Sequence, residues 1–347
     1  MNTLNYIGCK NKLSNLIIKT IKKEIGEEKL KEMNFLDLFA GTGIMSYKFK
    51  EICRIINSND LELYSYVICK SLLECSYSDK IKNIIEIANN LEPKEGLMYK
   101  NFSPNIECKR MFFTNENAKK IDAIRIFIDE KLELGEINKN EWYFLLASLL
   151  VSMDKVANNS SVYGAYLKKF KNSAIKNINL IPIHKDKLLN NGIVTNRLAE
   201  ELIKEKKYDI IYMDPPYNHR QYSANYSPLN YLVKYNSNIE LKGKTGLIKD
   251  YNKSKFCSKT NAKITFKKMI ENINADYIVL SYNNEGIISK DDLKNILCDK
   301  GDVILYKIKY AKFKAQKKIS KKYVYEYLWI IDTKSKNKIF IEREEIL

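Results

Sequence analysis

The sequence predicts an α/β fold with a seven-stranded, mostly parallel sheet whose last strand is antiparallel. An apolar run over 35–40 enters the turn Gly41-Thr42-Gly43 and then a helical pattern, which is typical of nucleotide-binding folds. A second apolar run over 54–57 ends at Asn59-Asp60, and strand-like runs return in the carboxyl-terminal half. This alternation of strands and helices favours parallel strands joined by crossover connections.

The predicted elements follow in chain order. An amphipathic helix comes first, with apolar positions from Leu13 to Ile25, and strands are predicted near residues 36, 55, 181, 210, 279, 305 and 329. The last two strands are joined by a connection too short for a crossover helix, so they should be antiparallel. Helical periodicity dominates 64–178, which predicts a mainly helical insertion in a domain formed by 1–63 and 179–347.

The composition is basic, with 59 Lys and Arg against 42 Asp and Glu and a net charge of +17. This excess permits a polyanionic partner such as nucleic acid, although an AT-rich genome also enriches lysine. Seven scattered cysteines without a CxxC pair, and only two histidines, argue against a zinc site and favour a reducing cytoplasm. No apolar run reaches membrane-spanning length, so no membrane association is expected.

The first half of the sequence carries a predicted cofactor site. In nucleotide-type folds an acidic residue at the end of the second strand accepts the ribose hydroxyls, and Asp60 has the expected spacing from Asp37. The turn lacks the third glycine of dinucleotide-binding proteins, which argues against NAD. S-adenosylmethionine fits, with Asp60 at its ribose. Asp37 and the 39–43 turn, including Phe39, Gly41 and Gly43, would face its methionine portion.

The second half contains Asp214-Pro215-Pro216-Tyr217 directly after the apolar run 208–213. A carboxylate and a rigidly held carbonyl, those of Asp214 and Pro215, are suited to accept the two N–H bonds of an aromatic amine. Both bonds would localise the nitrogen lone pair, and Tyr217 offers a face on which an extruded base can stack. Taken alone, the same residues are also compatible with an ordinary turn that ends a strand.

Taken together, these motifs make the chain resemble the alpha group of DNA adenine methyltransferases, which includes the Dam enzymes. Tyr6-Ile7-Gly8-Cys9-Lys10, the FxGxG turn, a long insertion and Asp-Pro-Pro-Tyr occur in that family's order, and Ser223-Ala224-Asn225-Tyr226 is similar to its Thr-Ala-Asn-Phe segment. The resemblance implies a class I S-adenosylmethionine-dependent, Rossmann-like methyltransferase fold. It also implies that the insertion is the target-recognition domain.

The resemblance assigns further residues by position. It implies that Tyr6 and Lys10 contact the cofactor, with Lys10 near the cofactor carboxylate, and that Asp186 accepts a hydrogen bond from the cofactor adenine. Asp186 precedes Asp214 by more than the family usually allows, and Cys9 stands where the family commonly has Gly or Ser. The residues after Tyr217 differ from Dam enzymes and are similar to modification methyltransferases, which favours a restriction-modification or phage-defence setting.

Two groups of residues are predicted to contact DNA. The first follows the tetrapeptide and contains Arg220, Tyr222, Asn225 and Tyr226. The second comes from a lysine-rich connection between the last two strands and contains Lys312, Lys314, Lys317 and Lys318. Either group is also compatible with a solvated loop. His219 is not needed as a general base, because the amine becomes acidic only after methyl transfer.

These observations predict a site-specific enzyme that methylates the N6 amine of a flipped adenine in double-stranded DNA. The expected setting is the cytoplasm of a bacterium or a phage-infected cell, and the resemblance leaves room for a cognate restriction endonuclease. Two alternatives remain open. One is methylation of RNA or of another amino group by the same fold, and the other is a catalytically silent nucleic-acid-binding module.

Overall fold

The computed structural model describes residues 1–6, 8–187, 192–311, 323–335 and 337–346. Its strands are β1 (Asn34–Asp37), β2 (Ile55–Asn59), β3 (Gly192–Thr195), β4 (Tyr208–Met213), β5 (Leu241–Lys242), β6 (Leu247–Ile248), β7 (Ala275–Asn283), β8 (Asp302–Ala311), β9 (Tyr323–Asp332) and β10 (Phe340–Ile346). Eight of them form one sheet in the order β10-β8-β9-β7-β4-β1-β2-β3, while β5 and β6 form a separate hairpin.

The sheet is mostly parallel, as the sequence predicts. Strand β9 is antiparallel to both β7 and β8, which confirms the expected antiparallel pair near residues 305 and 329. The predicted number of seven strands is wrong, however, and β9 is not the last strand. Strand β10 follows it and pairs in parallel with β8. The sequence of β10 is Phe-Ile-Glu-Arg-Glu-Glu-Ile, in which most residues are charged. Edge strands need little apolar character, so the apolar patterns used to predict strands did not identify it.

The strand predicted near residue 181 is also wrong. The backbone there is bonded by side chains, since Ile181 N donates to Ser152 Oγ at 3.0 Å and Ile183 N donates to Ser148 Oγ at 3.1 Å. Pro182 lies between them and has no N–H to offer a neighbouring strand. The strand that pairs with β2 is β3 instead.

The helices surround the sheet and fill the insertion. They are α1 (Ser14–Ile25), α2 (Glu27–Lys31), α3 (Ile44–Phe49), α4 (Leu63–Glu74), α5 (Asp79–Asn89), α6 (Leu97–Phe102), α7 (Asn115–Glu133), α8 (Lys139–Lys155), α9 (Ala199–Leu202), α10 (Tyr222–Asn225), α11 (Ser227–Lys234), α12 (Ala262–Asn272) and α13 (Lys290–Cys298). Side chains cap the amino-terminal ends of several helices by accepting hydrogen bonds from the backbone. Asn138, for example, forms a capping box with Glu141 at the start of α8.

Two apolar cores lie on opposite faces of the sheet, because successive strand residues point to opposite sides. In β1, Phe35 belongs to one core and Leu36 to the other. The first core includes α1, α3, α4 and the helices of the insertion. The second is covered by α9, α12 and α13.

The segment 64–178 is helical over most of its length, from α4 to α8. Helix α4 packs against β2 and β3, and α8 packs against α4. Side chains of the whole segment join the first core without a break. The helical segment is therefore anchored on the sheet through α4, and its status as a separate insertion stays a prediction.

Candidate active site

A cavity of about 740 Å³ opens at the carboxyl ends of the central strands. Ligands of open α/β sheets bind at this edge, where the connections diverge to opposite faces. The predicted site residues that line the cavity are Tyr6, Lys10, Asp37, Phe39, Gly41, Asp60, Asp214, Pro216 and Tyr222. Strands β4, β1 and β2 are neighbours, so the acidic residues that end or follow them converge although they are distant in sequence.

The glycine turn makes a close approach that only glycine allows. Gly41 has φ +54°, and a Cβ added there would lie 3.2 Å from the ring of Tyr6. Gly43 has φ +70° but lies behind the turn, where an added Cβ would lie 2.9 Å from Leu72 of α4. Gly43 is not among the residues that line the cavity. Its close contact serves the packing of α3 against α4, so the structure does not place this predicted cofactor residue at the site.

Asp60 faces the cavity from the end of β2. Its two carboxylate oxygens accept backbone N–H groups, from Gly41 at 2.7 Å and from Glu62 at 2.9 Å. Burial raises the pKa of Asp60, and these N–H bonds oppose the rise. These hydrogen bonds fix the orientation of the Asp60 carboxylate and connect the glycine turn to the end of β2.

Asp37 lines the same cavity, but its Oδ2 already accepts two hydrogen bonds from Ser46. They come from the backbone N at 3.1 Å and from the hydroxyl at 2.7 Å. Burial raises the pKa of Asp37 to about 7. Asp37 therefore holds the first turn of α3 beneath the glycine turn in addition to facing the cavity.

Asp214 directly follows β4, lines the cavity, and has a side chain that is 18% exposed. Its Oδ1 lies 2.8 Å from Lys10 Nζ, and the same nitrogen lies 3.1 Å from Oε1 of Glu326. Lys10 is 5% exposed and Glu326 only 2%. The hydroxyl of Ser281 also donates to Glu326. The carboxylate of the tetrapeptide is thus part of a buried cluster with one cation and two anions.

This cluster changes the acid–base properties of its members. Burial raises the pKa of Asp214 to about 6, Lys10 opposes the rise, and Glu326 adds to it. Burial alone would lower the pKa of Lys10, but the two carboxylates raise it well above its usual range. Two protein carboxylates therefore contact Lys10, which also lines the cavity, and its predicted contact with a cofactor carboxylate stays a prediction.

The sequence analysis missed Glu326, although a signal exists. Glu326 shares a strand face with Leu328 and Ile330, which are both buried. A single carboxylate on an otherwise apolar strand face is uncommon and needs a partner. The partner, Lys10, is contributed by the opposite end of the chain, and strand periodicity alone does not identify it.

The rest of the tetrapeptide divides between cavity and interior. Pro216 lines the cavity, whereas Pro215 is buried and does not line it. Tyr217 is half-buried beside the cavity, with its ring edge-on to Tyr282 at 6.1 Å and its carbonyl accepting from Ile287 N at 2.9 Å. The contact with Ile287 places the Tyr217 backbone against the loop that follows β7.

Two of the residues predicted to contact DNA are buried in the protein. Tyr226 is 0% exposed and stacks on Tyr6 at 4.6 Å, and Asn225 is buried with its carbonyl accepting from Tyr163 N at 2.8 Å. In this structure Tyr226 is covered by the amino-terminal motif and Asn225 is bonded to the segment that contains Tyr163, so their contact with DNA stays a prediction. Tyr222 lines the cavity, 5.3 Å from the Tyr6 ring.

The other predicted DNA contacts lie at the surface or outside the described ranges. Arg220 is exposed, and its backbone N donates to Asn218 Oδ1 at 2.9 Å. The residues Lys312, Lys314, Lys317 and Lys318 lie outside the residues that the structure describes. Arg220 therefore remains available at the protein surface close to the tetrapeptide.

Glu62 is a second residue that the sequence analysis missed. It is 6% exposed, lines the cavity, and accepts hydrogen bonds from Ser223 Oγ and from Asn230 Nδ2, the latter at 2.7 Å. Burial raises the pKa of Glu62 to about 7, and the two donors lower it. Glu62 thereby ties the Asp60 loop to α10 and α11, which follow the tetrapeptide.

Asp186 lies outside the cavity, contrary to its assignment. Its Oδ2 accepts from Lys50 Nζ at 3.0 Å and from the hydroxyl of Tyr47, both on the α3 side. Burial raises the pKa of Asp186, but Tyr47 and Lys50 lower it below its usual value. Arg197 and Leu198, in the segment after β3, line the cavity. The contact of Asp186 with the cofactor adenine stays a prediction from the resemblance.

Two further findings concern the described ranges as a whole. None of the helices described is both long and apolar enough to cross a bilayer. Across residues 1–6, 8–187, 192–311, 323–335 and 337–346, no three His, Cys, Asp or Glu side chains are arranged to hold a metal ion.

The chain is similar to several known proteins of one family. The family model for D12 class N6 adenine-specific DNA methyltransferases matches residues 6–296. The type II methyltransferase M.NlaIII of Neisseria lactamica is 41% identical, over 95% of this chain and 99% of that protein. The type II methyltransferase M.CviAII of Paramecium bursaria Chlorella virus 1 is also 41% identical, over the same shares. The modification methylase StsI of Streptococcus sanguinis is 35% identical, over 96% of this chain and 53% of that protein. The chain belongs to the D12 class of N6 adenine-specific DNA methyltransferases.

Proposed function

We propose that this protein transfers a methyl group from S-adenosylmethionine to the N6 amine of an adenine extruded from double-stranded DNA. The observation that carries the proposal is the convergence of Asp60 and Asp214 on one cavity. Asp60 is suited to a ribose and Asp214 to an aromatic amine, so a donor and an acceptor would meet between them. Their convergence in a member of this family supports the reaction.

The cavity fits S-adenosylmethionine in chemistry and shape. Gly41 brings the backbone close to a bound ligand, Asp60 offers carboxylate oxygens to two hydroxyls, and Phe39 supplies an apolar wall. Arg197 and Leu198 line the part beyond Asp60, where they would contact the adenine moiety. When bound, S-adenosylmethionine supplies a methyl group on a positively charged sulfur.

The amine would be activated by hydrogen-bond acceptors. An ionised Asp214 would accept one N–H of the adenine amine. The other would go to the backbone carbonyl of Pro215, which joins two cavity-lining residues, Asp214 and Pro216, although Pro215 itself does not line the cavity in this structure. Both bonds draw the nitrogen lone pair out of conjugation and aim it along one direction. Lys10 holds Oδ1 of Asp214 at 2.8 Å and so restricts the rotation of this carboxylate.

The methylated amine releases a proton, and either Asp214 or water can accept it. When Asp214 becomes protonated, Lys10 keeps an anionic partner because Glu326 lies 3.1 Å away. The buried cation is therefore never left without a counter-ion during the cycle. This arrangement lets Asp214 change its charge at a limited electrostatic cost.

The target base would have to leave the duplex to reach Asp214, since this carboxylate lines a cavity and its side chain is only 18% exposed. Pro216 and Tyr222 line the cavity next to Asp214, and Tyr217 stands beside it. These rings suit a flat base that is stacked on one face and bonded at its amine edge. The helical insertion 64–178 would then contact the duplex as target-recognition domain.

The setting we propose is the modification half of a restriction-modification system. M.NlaIII and M.CviAII are type II methyltransferases, and both match this chain over nearly their whole length. A cognate endonuclease would be a separate polypeptide. Sequencing of plasmid DNA from cells that express the protein would show methyladenine confined to one short recognition sequence.

The decisive experiment measures transfer from labelled S-adenosylmethionine to unmethylated genomic DNA, with the modified nucleoside identified by mass spectrometry. N6-methyladenine should form with the wild type and with Asp299→Ala, an exposed carboxylate removed as a control. It should be absent with Asp214→Ala, while cofactor binding persists. Methylcytosine, or label that goes only to RNA in a competition, would contradict the proposal.

A further inference from the structure

A lysine-rich segment that the sequence analysis did not single out runs from the β5–β6 hairpin to the mouth of the cavity. Residues 241–259 contain six lysines and a single acidic residue, Asp250. Lys249 is paired with Glu240 at 2.6 Å. Four exposed lysines of this segment, Lys242, Lys244, Lys253 and Lys255, are here called the basic strip.

The basic strip carries positive charge without counter-ions. Throughout the described ranges, no carboxylate lies within 4.0 Å of any of its four ammonium groups. Lys242 and Lys253 instead approach one ring, that of Tyr251, at 5.7 Å and 5.9 Å from its centroid. Like charges converge here on the protein surface, and a polyanion would relieve their repulsion.

The segment is fixed to the machinery of the proposed reaction. Gln221 binds the backbone of Ser254 twice, accepting from its N at 2.7 Å and donating to its O at 3.1 Å. Ser227 Oγ accepts from Ile248 N at 2.9 Å. Lys253 and Lys255 line the cavity beside Ser254. The basic strip thus begins at the cavity and leads away from it along the surface.

The other end of the strip is held by the helical insertion. Arg110 donates from Nε to the carbonyl of Lys244 and from an Nη to that of Gly243, both at 3.2 Å. Its second Nη donates to the carbonyl of Asn101 at 2.9 Å. The guanidinium group of Arg110 therefore connects the hairpin turn to the end of α6 by hydrogen bonds. The fork geometry of arginine is what allows three carbonyls to be bound at once.

We propose that the basic strip binds backbone phosphates of duplex DNA next to the extruded base, and that Arg110 preorganises it. The inference rests on the proposed function, because a base in the cavity places its flanking phosphates at the mouth. Phosphate contacts position a duplex without reading its sequence. The recognition face would therefore combine the insertion with a hairpin that follows the catalytic tetrapeptide in sequence.

The test measures the affinity for a labelled duplex of arbitrary sequence by fluorescence anisotropy across a salt series. Each lost phosphate contact lowers the slope of log K against log salt by about 0.9. Lys242→Ala/Lys244→Ala should lower the slope by about 1 to 2 and weaken binding roughly tenfold near 0.1 M salt. The KM for DNA should rise similarly, with kcat at saturating DNA and cofactor affinity retained.

Two further variants separate local contacts from net charge and from preorganisation. Lys207→Ala/Lys334→Ala removes the same charge at the amino ends of β4 and β7, where both lysines pair with Asp276, and should leave the slope unchanged. Arg110→Lys keeps the charge but loses the fork. It should weaken DNA binding several-fold with little change in the salt slope.

The outcomes distinguish this inference from the proposed function. If the wild type methylates DNA and Lys242→Ala/Lys244→Ala keeps the wild-type slope and KM, the strip does not contact DNA. If duplex RNA competes better than duplex DNA for the strip, the partner is wrong. If the wild type transfers no methyl group but the slope still falls in the variant, the strip binds DNA and the proposed reaction is wrong.

Discussion

The ammonium nitrogen of Lys10 lies 2.8 Å from Oδ1 of Asp214, in a site that is nearly closed to solvent. A second carboxylate, Glu326, lies 3.1 Å from the same nitrogen. The motif near the amino terminus and a strand near the carboxyl terminus thus meet at the tetrapeptide. Removing Lys10 leaves two buried carboxylates without a cation, whereas removing Glu326 leaves Lys10 paired with Asp214 alone, so the two changes should have different measurable consequences.

The rate of methyl transfer should fall as the pH falls through about 6. A protonated Asp214 donates a hydrogen bond where the amine needs an acceptor, and burial raises the pKa of Asp214 to about 6. Glu326→Gln removes a negative charge that raises this pKa, so the midpoint of kcat against pH should move to lower pH. A midpoint that stays in place or moves upward would show that Glu326 does not act on Asp214.

Other ionisable groups also face Asp214, namely Lys10, Tyr212, Tyr222 and Asp37. The Tyr212 and Tyr222 hydroxyls have pKa values raised by burial and do not titrate near pH 6. Asp37 has a pKa of about 7 and is the control. Any contribution of Asp37 to the pH dependence of kcat should stay unchanged in Glu326→Gln. The carboxylate that the variant affects is Asp214, because Asp214 and Glu326 contact the same ammonium group of Lys10.

Lys10→Met should lower the free energy of unfolding by about 3 to 5 kcal/mol, because it leaves two buried carboxylates facing each other. Adding Glu326→Gln in the same chain should restore part of that loss. Urea denaturation at pH 8 measures both values. Lys22→Met, at an exposed pair with Glu27, is the control and should cost about 1 kcal/mol or less. Strict additivity of the two core variants would contradict the coupling.

Gly41→Ala should weaken cofactor binding about tenfold, because its Cβ would press on the Tyr6 ring at 3.2 Å. Gly135→Ala is a matched control with φ +70° and open space around it. Both variants incur about 1 to 2 kcal/mol for the left-handed backbone. Calorimetric titration with S-adenosylmethionine should show weaker binding by Gly41→Ala than by Gly135→Ala. Equal affinities would mean that the Tyr6 ring moves aside without any effect on cofactor binding.

Asp60→Asn should weaken the binding of S-adenosylmethionine at least about tenfold, because an amide in place of the carboxylate would oppose one of two backbone donors. Asp186→Asn should change this affinity less than about twofold, since Asp186 pairs with Lys50 outside the cavity. The same titration measures both variants. A large loss with Asp186→Asn would restore the role that family position assigns to it.

Glu62 should make the protein less stable as the pH rises through about 7. Its pKa is about 7 in the folded protein against an ordinary 4.5, so the folded state binds the proton more tightly. The favourable contribution is complete below pH 4.5 and is lost above pH 7, by roughly 3 kcal/mol. Thermal or urea unfolding between pH 5 and 8 should show this slope in the wild type. Glu62→Gln should reduce this slope, and the part that remains belongs to other buried carboxyls with raised pKa values, such as Asp37 and Asp214.

Several features of the site could be predicted from local sequence because they depend on local geometry. The glycine turn follows directly from strand β1, and the tetrapeptide follows directly from β4, so each motif carries its own structural context. Because β1 and β4 are parallel neighbours, their carboxyl ends lie at the same edge of the sheet. The sequence also sufficed for the antiparallel pair β8–β9, since a short connection allows no other direction.

Other features depend on contacts between distant segments, and local patterns misassign them. The extended segment at residue 181 looks like a strand, yet its N–H groups bind Ser148 and Ser152 of a helix. Tyr226 looks like a surface aromatic, yet its ring is stacked on Tyr6 from the amino-terminal motif. In both cases the partner lies tens or hundreds of residues away and is chosen by packing.

By itself, the sequence determined the fold class, the family and the two carboxylates, Asp60 and Asp214, that end or follow neighbouring strands. Only the tertiary structure decided that Glu326 joins Lys10 and Asp214, that Glu62 links the two halves of the cavity, and that Asp186 lies outside it. The physical reason is that a backbone pattern is local, whereas burial and charge pairing depend on which segments the folded chain brings together.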